Sequence, residues 1–189
     1  METDDQLLAE FRQLWADADR IWEREDKHPA FEAYVSADYL SVFQNLQNLK
    51  GQAVSFLEWG SGLGVVTIMA SRMGFDAYGI EAESNLVDYS MDLAEAYGSD
   101  AQMVHGSFIP DEFVWNPANG DEAIRTTIDA PDGYAQLDLD LCDFDLIYAY
   151  PWPTEHALYH NILREFGGPN VRLLSYDARE GIALVPFGV

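Results

Sequence analysis

Two carboxylates and three alternating glycines occur at a spacing that suits a nucleotide-binding site. Glu58 ends a short apolar run and is followed by Gly60, Gly62 and Gly64. A second apolar run, later in the chain, ends in Glu81. Glycine permits positive φ and lets a ligand lie against bare backbone, and an acidic side chain can accept hydrogen bonds from both hydroxyls of a ribose. The pattern therefore predicts a nucleotide site with two carboxylates.

The segments around these residues predict the elements that position them. Apolar runs over 53–57 and 77–80 are typical of buried strands, and 65–73 is amphipathic. The order is strand, glycine turn, helix, strand, which is the opening of a Rossmann-like half-sheet. An ordinary strand-turn-helix with incidental glycines is the alternative.

The glycine spacing excludes two common phosphate-binding motifs. In G-x-G-x-x-G the third glycine would stand at position 65 or 67, where this chain has Val65 and Thr67. A G-x-x-x-x-G-K-[ST] loop is absent too, because no lysine follows the glycines before the next strand. What remains is E-x-G-x-G-x-G over 58–64.

This pattern resembles that of the class I (seven-strand) S-adenosylmethionine-dependent methyltransferases, and the resemblance covers about 51–177. It implies an α/β fold, a Rossmann-like three-layer sandwich with a mostly parallel central sheet. The residues after 177 are too few for the family's last helix and two strands, so we expect a sheet truncated at the C-terminus. Residues 1–50 are expected to form a helical N-terminal extension packed on a methyltransferase-like domain over 51–189.

The resemblance also implies S-adenosyl-L-methionine as the cofactor. In the family the first acid and the glycines hold the methionine portion, and the acid after the second strand holds the ribose. An acid that bonds the adenine amino group often follows the third strand; here that position is a serine, which can still accept a hydrogen bond. The predicted cofactor-binding residues are Glu58, Gly60, Ser61, Gly62, Gly64, Glu81, Ala82, Ser107 and Phe108. The phenyl ring has two interpretations, an adenine contact or core packing.

The resemblance implies that the loop after the fourth predicted strand lies beside the methionine portion and faces the acceptor. This loop reads Tyr-Pro-Trp-Pro over 150–153, and two prolines restrict the loop so that Tyr150 or Trp152 can face the cleft. Such a ring could bind a planar or cationic acceptor, although packing against the N-terminal helices is the alternative. The loop is loosely similar to the [DNS]-P-P-[YFW] motif of amino-methylating members. It lacks the polar first residue and the double proline, so no amino-methylation is inferred.

Two residues on the following helix are candidates for a base near the acceptor, Glu155 and His156. The predicted catalytic residues are therefore Tyr150, Trp152, Glu155 and His156. A metal is not predicted, because His156 and His160 share a helix face without an evident third ligand.

The remaining elements follow from periodicity and capping residues. Helices are predicted between 4 and 50, with a break at 28–29 and a second helix over 30–49. Ser84 and Thr154 are predicted N-caps. Further strands are expected at 101–105, 145–150, 171–176 and 182–186. The stretch from 109 to 144 is expected to be loop, with a short helix over 121–128.

Composition limits the partners. The chain has 189 residues, 33 acids, ten bases and a net charge of −23, and its size suits one domain. The charge opposes binding of nucleic acid and permits neutral or cationic acceptors. Acidity that only serves solubility is the alternative. No apolar run approaches the roughly 18 residues of a membrane span, and a single cysteine, Cys142, suits the cytoplasm. The oligomeric state is left open.

Three functions compete. The first is an S-adenosylmethionine-dependent methyltransferase acting on a small molecule or a protein side chain. The second is a catalytically inactive S-adenosylmethionine-binding or interaction protein of the same fold. The third is a nicotinamide-dependent oxidoreductase, which Val65 and Thr67 oppose.

Overall fold

The computed structural model describes residues 3–31, 34–114, 116, 125–126 and 129–187. A sheet with helices on both faces is formed by these residues. The helices are α1 (Asp4–Glu25), α2 (Tyr39–Leu49), α3 (Val65–Arg72), α4 (Ser84–Ala96), α5 (Gly133–Leu137) and α6 (His156–Phe166). The strands are β1 (Ser55–Trp59), β2 (Asp76–Glu81), β3 (Gln102–His105), β4 (Leu146–Ala149), β5 (Arg172–Asp177) and β6 (Gly181–Pro186).

The sheet has the order β3-β2-β1-β4-β5-β6. All neighbours pair in parallel except β5 and β6, which pair antiparallel as a hairpin. The chain therefore reverses its direction of strand addition at β1, next to β4, which is where open sheets bind ligands. The mostly parallel sheet and its last strand confirm the predicted fold class, with six strands in the part of the chain that the structure describes.

The two faces of the sheet support separate hydrophobic clusters, which gives three layers. One cluster holds residues of α1, α2, α3 and α4, and it includes Phe56 and Tyr148 from the sheet. The other holds residues of α6, and it includes Leu57 and Trp59. Alternate residues of β1 thus point to opposite layers, as the pleat of a strand requires. Every residue of β4 is buried, which is typical of a central parallel strand.

The N-terminal helices pack on α3. The guanidinium of Arg72 donates to both carboxylate oxygens of Glu10, at 2.9 and 3.1 Å. The indole N–H of Trp15 donates to the sulfur of Met69 at 3.2 Å. Helices α1 and α2 therefore share a core with the sheet, while a domain boundary at residue 50 stays a prediction.

Several predicted boundaries were wrong. The helix predicted over 30–49 begins only at Tyr39, because the Asp38 side chain accepts the N–H of Ser41 and caps the helix there. The N-caps are Glu83 and Glu155, each one residue from the predicted Ser84 and Thr154.

In the stretch predicted as loop, the short helix α5 follows Asp132, whose carboxylate accepts the N–H groups of Tyr134 and Ala135. The helix predicted over 121–128 lies outside the described residues, apart from Arg125 and Thr126. Within the described ranges, no helix is long and apolar enough to cross a membrane. A cytoplasmic location stays a prediction.

Candidate functional site

A cavity of about 400 Å³ lies at the carboxyl ends of β1, β2 and β4. Ligand pockets in proteins usually measure about 300–1,000 Å³, so the volume suits a nucleotide-sized molecule. Ten of the thirteen predicted site residues line it: Glu58, Gly60, Ser61, Gly62, Glu81, Ala82, Ser107, Phe108, Tyr150 and Trp152. The other three, Gly64, Glu155 and His156, are not among its lining residues.

The glycine turn between β1 and α3 has the left-handed backbone that its residues predict. Gly60 and Gly62 have φ of +68° and +53°. Apart from its chain neighbours, a Cβ at Gly60 would meet no atom of the described residues within 4 Å, so this backbone faces open cavity. A Cβ at Gly62 would lie 2.7 Å from a ring carbon of Tyr34, so that glycine is required by the protein's own packing. Gly60 is thus the position where bare backbone is available to a ligand.

Glu81 joins the end of β2 to the glycine turn. One carboxylate oxygen accepts the N–H of Gly62 at 2.7 Å, and the other accepts the N–H of Glu83 at 2.9 Å. Burial raises the pKa of the Glu81 carboxyl, while these backbone donors act in the opposite direction. The carboxylate is therefore held in place from both sides at the wall of the cavity.

Glu58 is bound to the first turns of α3. One of its oxygens accepts the N–H and the hydroxyl of Thr67, at 2.8 and 2.5 Å. Burial raises the pKa of the Glu58 carboxyl to about 8, because a charge at this position is poorly solvated. The nearby Glu81 charge raises it further, and the Thr67 bonds oppose the rise. Burial therefore favours the protonated form of this carboxyl.

Two buried hydroxyls at the cavity have no hydrogen-bond partner within the described residues: those of Ser61 and Tyr148. The two residues are 5% and 2% exposed. Buried polar groups are normally paired, so unpaired ones at a cavity wall indicate a site that a polar ligand completes. Tyr148 pairs in register with Glu58 across β4 and β1, so both side chains lie on the same face of the sheet.

Aromatic rings form the wall of the cavity on the other face. Trp59 and Phe108 stack with centroids 4.8 Å apart, and Tyr159 packs against both. The Phe108 ring belongs to the core and also lines the cavity, so core packing is confirmed and the adenine contact stays a prediction. The hydroxyl of Ser107 accepts the N–H of Ile109 at 3.1 Å.

The loop after β4 brings Tyr150 and Trp152 to the cavity, as predicted. Tyr150 contacts Tyr176 edge to face, at 4.7 Å between centroids. The guanidinium of Arg125 lies 4.6 Å from the ring centroid of Trp152. An acceptor cation on this face of the indole would have to displace that guanidinium.

Glu155 and His156, the predicted bases, are engaged elsewhere. The Glu155 carboxylate is 1% exposed and accepts the N–H groups of Arg125 and Thr126 and the hydroxyl of Thr126. His156 approaches Asp177, with 3.4 Å between its Nε2 and a carboxylate oxygen. Neither side chain is therefore placed at the cavity wall in this structure.

Sequence reasoning missed a second set of lining residues. They come from the segment before α2 and the start of α2, from the stretch between β3 and α5, from β4, from α6, and from the β5–β6 hairpin. They include Tyr34, Tyr39, Arg125, Thr126, Tyr148, Tyr159, Asp177 and Arg179. The hydroxyls of Tyr34 and Tyr39 are hydrogen-bonded at 2.9 Å. The aromatic residues of the N-terminal region were the available signal that this region takes part in the site. In the structure the region both packs on α3 and covers the site.

Among the residues that the structure describes, no three His, Cys, Asp or Glu side chains converge in a way that could hold a metal ion.

Neither a family model nor a curated protein matches the sequence. Solved structures match by shape. One is an RNA methyltransferase from Salinibacter ruber in complex with S-adenosyl-L-homocysteine, with a TM-score of 0.57, 15% identity and coverage of 82% of this chain and 94% of that one. Another is an O-methyltransferase from Bacillus cereus in complex with the same compound, with a TM-score of 0.55, 15% identity and coverage of 93% and 67%.

These likenesses show the fold. The chain has the fold of the class I S-adenosylmethionine-dependent methyltransferases, which confirms the predicted resemblance at the level of architecture.

Proposed function

We propose that this protein binds S-adenosyl-L-methionine in the cavity and transfers its methyl group to a small molecule or a protein side chain. The observation that carries the proposal is the bond between Glu81 and the N–H of Gly62, which assembles both halves of the predicted cofactor motif at one cavity. The fold adds support, since the compared methyltransferases were solved with S-adenosyl-L-homocysteine.

The residues present suit this cofactor. In this proposal the open backbone at Gly60 and the unpaired hydroxyl of Ser61 would receive the methionine portion. The Glu81 carboxylate would accept the ribose hydroxyls, and Phe108 would offer a ring to the adenine. A cofactor ammonium beside Glu58 would favour the ionised carboxylate and lower its pKa from about 8.

Methyl transfer needs little from the protein beyond geometry. When bound, the cofactor would supply an activated methyl group, and the electrons of its C–S bond would return to sulfur as the acceptor's lone pair bonds to the methyl carbon. The protein's part is to hold the acceptor in line with that bond and to exclude water. Tyr150 and Trp152 are assigned to the acceptor side, because their loop follows the carboxyl end of β4.

A catalytically inactive S-adenosylmethionine-binding protein is the second candidate. It is favoured by the engagement of Glu155 and His156 away from the cavity wall. Acceptors that are nucleophilic when neutral need no base, so this engagement does not decide between the two. Exclusion of nucleic acid stays a prediction from the charge of −23.

A transfer assay separates the two candidates. Methyl-labelled S-adenosylmethionine is incubated with the full chain and a library of small molecules and unmodified proteins, with Gly60→Asn as the control variant that fills the cavity. Label transferred by the wild type and not by the variant supports the enzyme. Saturable binding of S-adenosylhomocysteine without transfer to any member supports the inactive protein.

A further inference from the structure

Two arginines line the cavity of this strongly acidic chain. Arg125 and Arg179 are among its lining residues, although the whole sequence has only ten bases against 33 acids. Neither forms an ion pair with any acid in the described ranges, whereas Arg72 is paired with Glu10. In a surface of net charge −23, guanidinium groups left without an acid are available to a ligand anion.

Arg125 is positioned by a buried carboxylate. Glu155 is 1% exposed and accepts three hydrogen bonds from residues 125 and 126. A carboxylate removed from water in this way requires such donors, and together they hold the segment against the start of α6. Glu155 is therefore a positioning residue for Arg125 in this structure.

The guanidinium itself is oriented by Trp152. It lies 4.6 Å from the ring centroid, and contact with the indole leaves the N–H groups at its edge free for hydrogen bonds. Arg179 is placed by a second carboxylate, since one oxygen of Asp177 accepts the N–H groups of Arg179 and Glu180 at 2.7 and 2.9 Å. Both arginines are exposed, which places them at the mouth of the cavity.

We propose that Arg125, supported by Arg179, forms an anion subsite that binds a carboxylate of the methyl acceptor. This rests on the proposed methyltransferase function and names the acceptor class. A planar guanidinium recognises carboxylate and phosphate alike. The field of 33 acids opposes a dianion more strongly than a monoanion, so a carboxylate is favoured over a phosphate ester.

The cofactor's own carboxylate is the competing occupant. The glycine turn leads into α3, which packs on one face of the sheet, and the unpaired hydroxyl of Ser61 lies in this turn. Arg125 is bound to the start of α6, which packs on the opposite face. The methionine portion is assigned to the α3 side, so Arg125 is left for the acceptor.

The test uses the full chain saturated with S-adenosylhomocysteine and three probes that share a benzene ring: benzoate, phenyl phosphate and benzylammonium. Calorimetry measures the affinity of each probe. We expect benzoate to bind most tightly, with an affinity that falls as salt is added. Arg125→Gln should weaken benzoate binding about tenfold or more, and Arg125→Lys should retain part of it. Arg164→Gln, an exposed arginine of α6 outside the cavity, should leave it unchanged.

The outcomes are distinct. Failure of the wild type to bind S-adenosylhomocysteine overturns the proposed function. If that ligand binds but benzoate does not, or benzylammonium binds more tightly, the carboxylate subsite is wrong. Tighter binding of phenyl phosphate overturns the assignment to a carboxylate. Loss of S-adenosylhomocysteine affinity in Arg125→Gln, with an unchanged melting temperature, would assign the guanidinium to the cofactor and also overturn it.

Discussion

The Glu81 carboxylate accepts the backbone N–H of Gly62 at 2.7 Å, so the acid that ends β2 is tied directly to the glycine turn that follows β1. Two segments that the sequence identifies separately are thereby fixed relative to each other at the carboxyl edge of the sheet. If the carboxylate binds the ribose of a nucleoside, the rest of that ligand would lie against the glycine turn.

Glu81→Gln is expected to weaken S-adenosylhomocysteine binding by about tenfold or more, because charge-assisted hydrogen bonds contribute roughly 1.5–3 kcal/mol each. Glutamine keeps an acceptor oxygen for only one of the two backbone donors, Gly62 and Glu83, so circular dichroism is used to check that the variant stays folded. Calorimetry measures the affinity, and Glu95→Gln on the exposed side of α4 is the control. Equal affinities for the two variants would remove the ribose assignment.

Gly60→Asn is expected to abolish binding of S-adenosylhomocysteine while the protein stays folded. Asparagine tolerates positive φ, so the turn is preserved while a side chain enters the cavity. Gly98→Asn is the matched control: Gly98 has φ of +56° and does not line the cavity. A Cβ there would meet nothing within 4 Å in the described part of the chain, apart from its own neighbours. Circular dichroism checks the fold of both. If Gly60→Asn binds as tightly as Gly98→Asn, the turn does not contact the cofactor.

The ligand-free protein should lose stability as pH rises through the pKa of Glu58. That pKa is raised by burial to about 8 from 4.5, so the folded state holds a proton that the unfolded state releases. The free energy of unfolding contributed by this proton is fully present below pH 4.5 and falls until the pH exceeds about 8. Glu58→Gln is neutral at all these pH values and keeps an acceptor for Thr67. Between pH 5 and pH 9 the melting temperature of the wild type should therefore fall relative to that of the variant. A difference in melting temperature that does not change with pH would contradict the burial of this carboxyl.

Glu155→Ala tests whether Glu155 positions the segment around Arg125. We expect a loss of about 1–3 kcal/mol in unfolding free energy and faster amide exchange at Arg125 and Thr126, because their N–H groups lose a buried acceptor. Thr126→Val, which removes only the hydroxyl donor, should have a smaller effect in the same direction. Unchanged stability and exchange, with methyl transfer abolished, would return Glu155 to the role of a base.

The half of the cavity that contains the glycine turn and Glu81 could be predicted because its parts are local in sequence. Gly60 requires positive φ, and Glu81 ends the strand that must lie beside β1, so spacing alone places them together. The opposite half depends on contacts between distant segments, such as Thr126 with Glu155, which no periodicity encodes. Gly133, which begins α5, also depends on a distant segment, since a Cβ there would lie 2.6 Å from the side chain of Ile80.

The N-terminal helices could likewise be predicted in part, but not their contacts with distant segments. The spacing of Leu7, Phe11 and Leu14 predicts α1, and all three are buried. The start of α2 was predicted too early because 30–37 has a helix-compatible composition, although the capping Asp38 and Ser41 were available as a signal. That Tyr34 then covers the glycine turn follows only from the packed structure.

A calorimetric titration of the full chain with S-adenosylhomocysteine and, in parallel, with NAD tests which cofactor the cavity binds. The two ligands share an adenosine, so only the cavity beyond the ribose distinguishes them. We predict saturable binding of S-adenosylhomocysteine and no binding of NAD, because Val65 and Thr67 replace the third glycine of the dinucleotide motif. Binding of NAD in preference to S-adenosylhomocysteine, or binding of neither, would contradict the account.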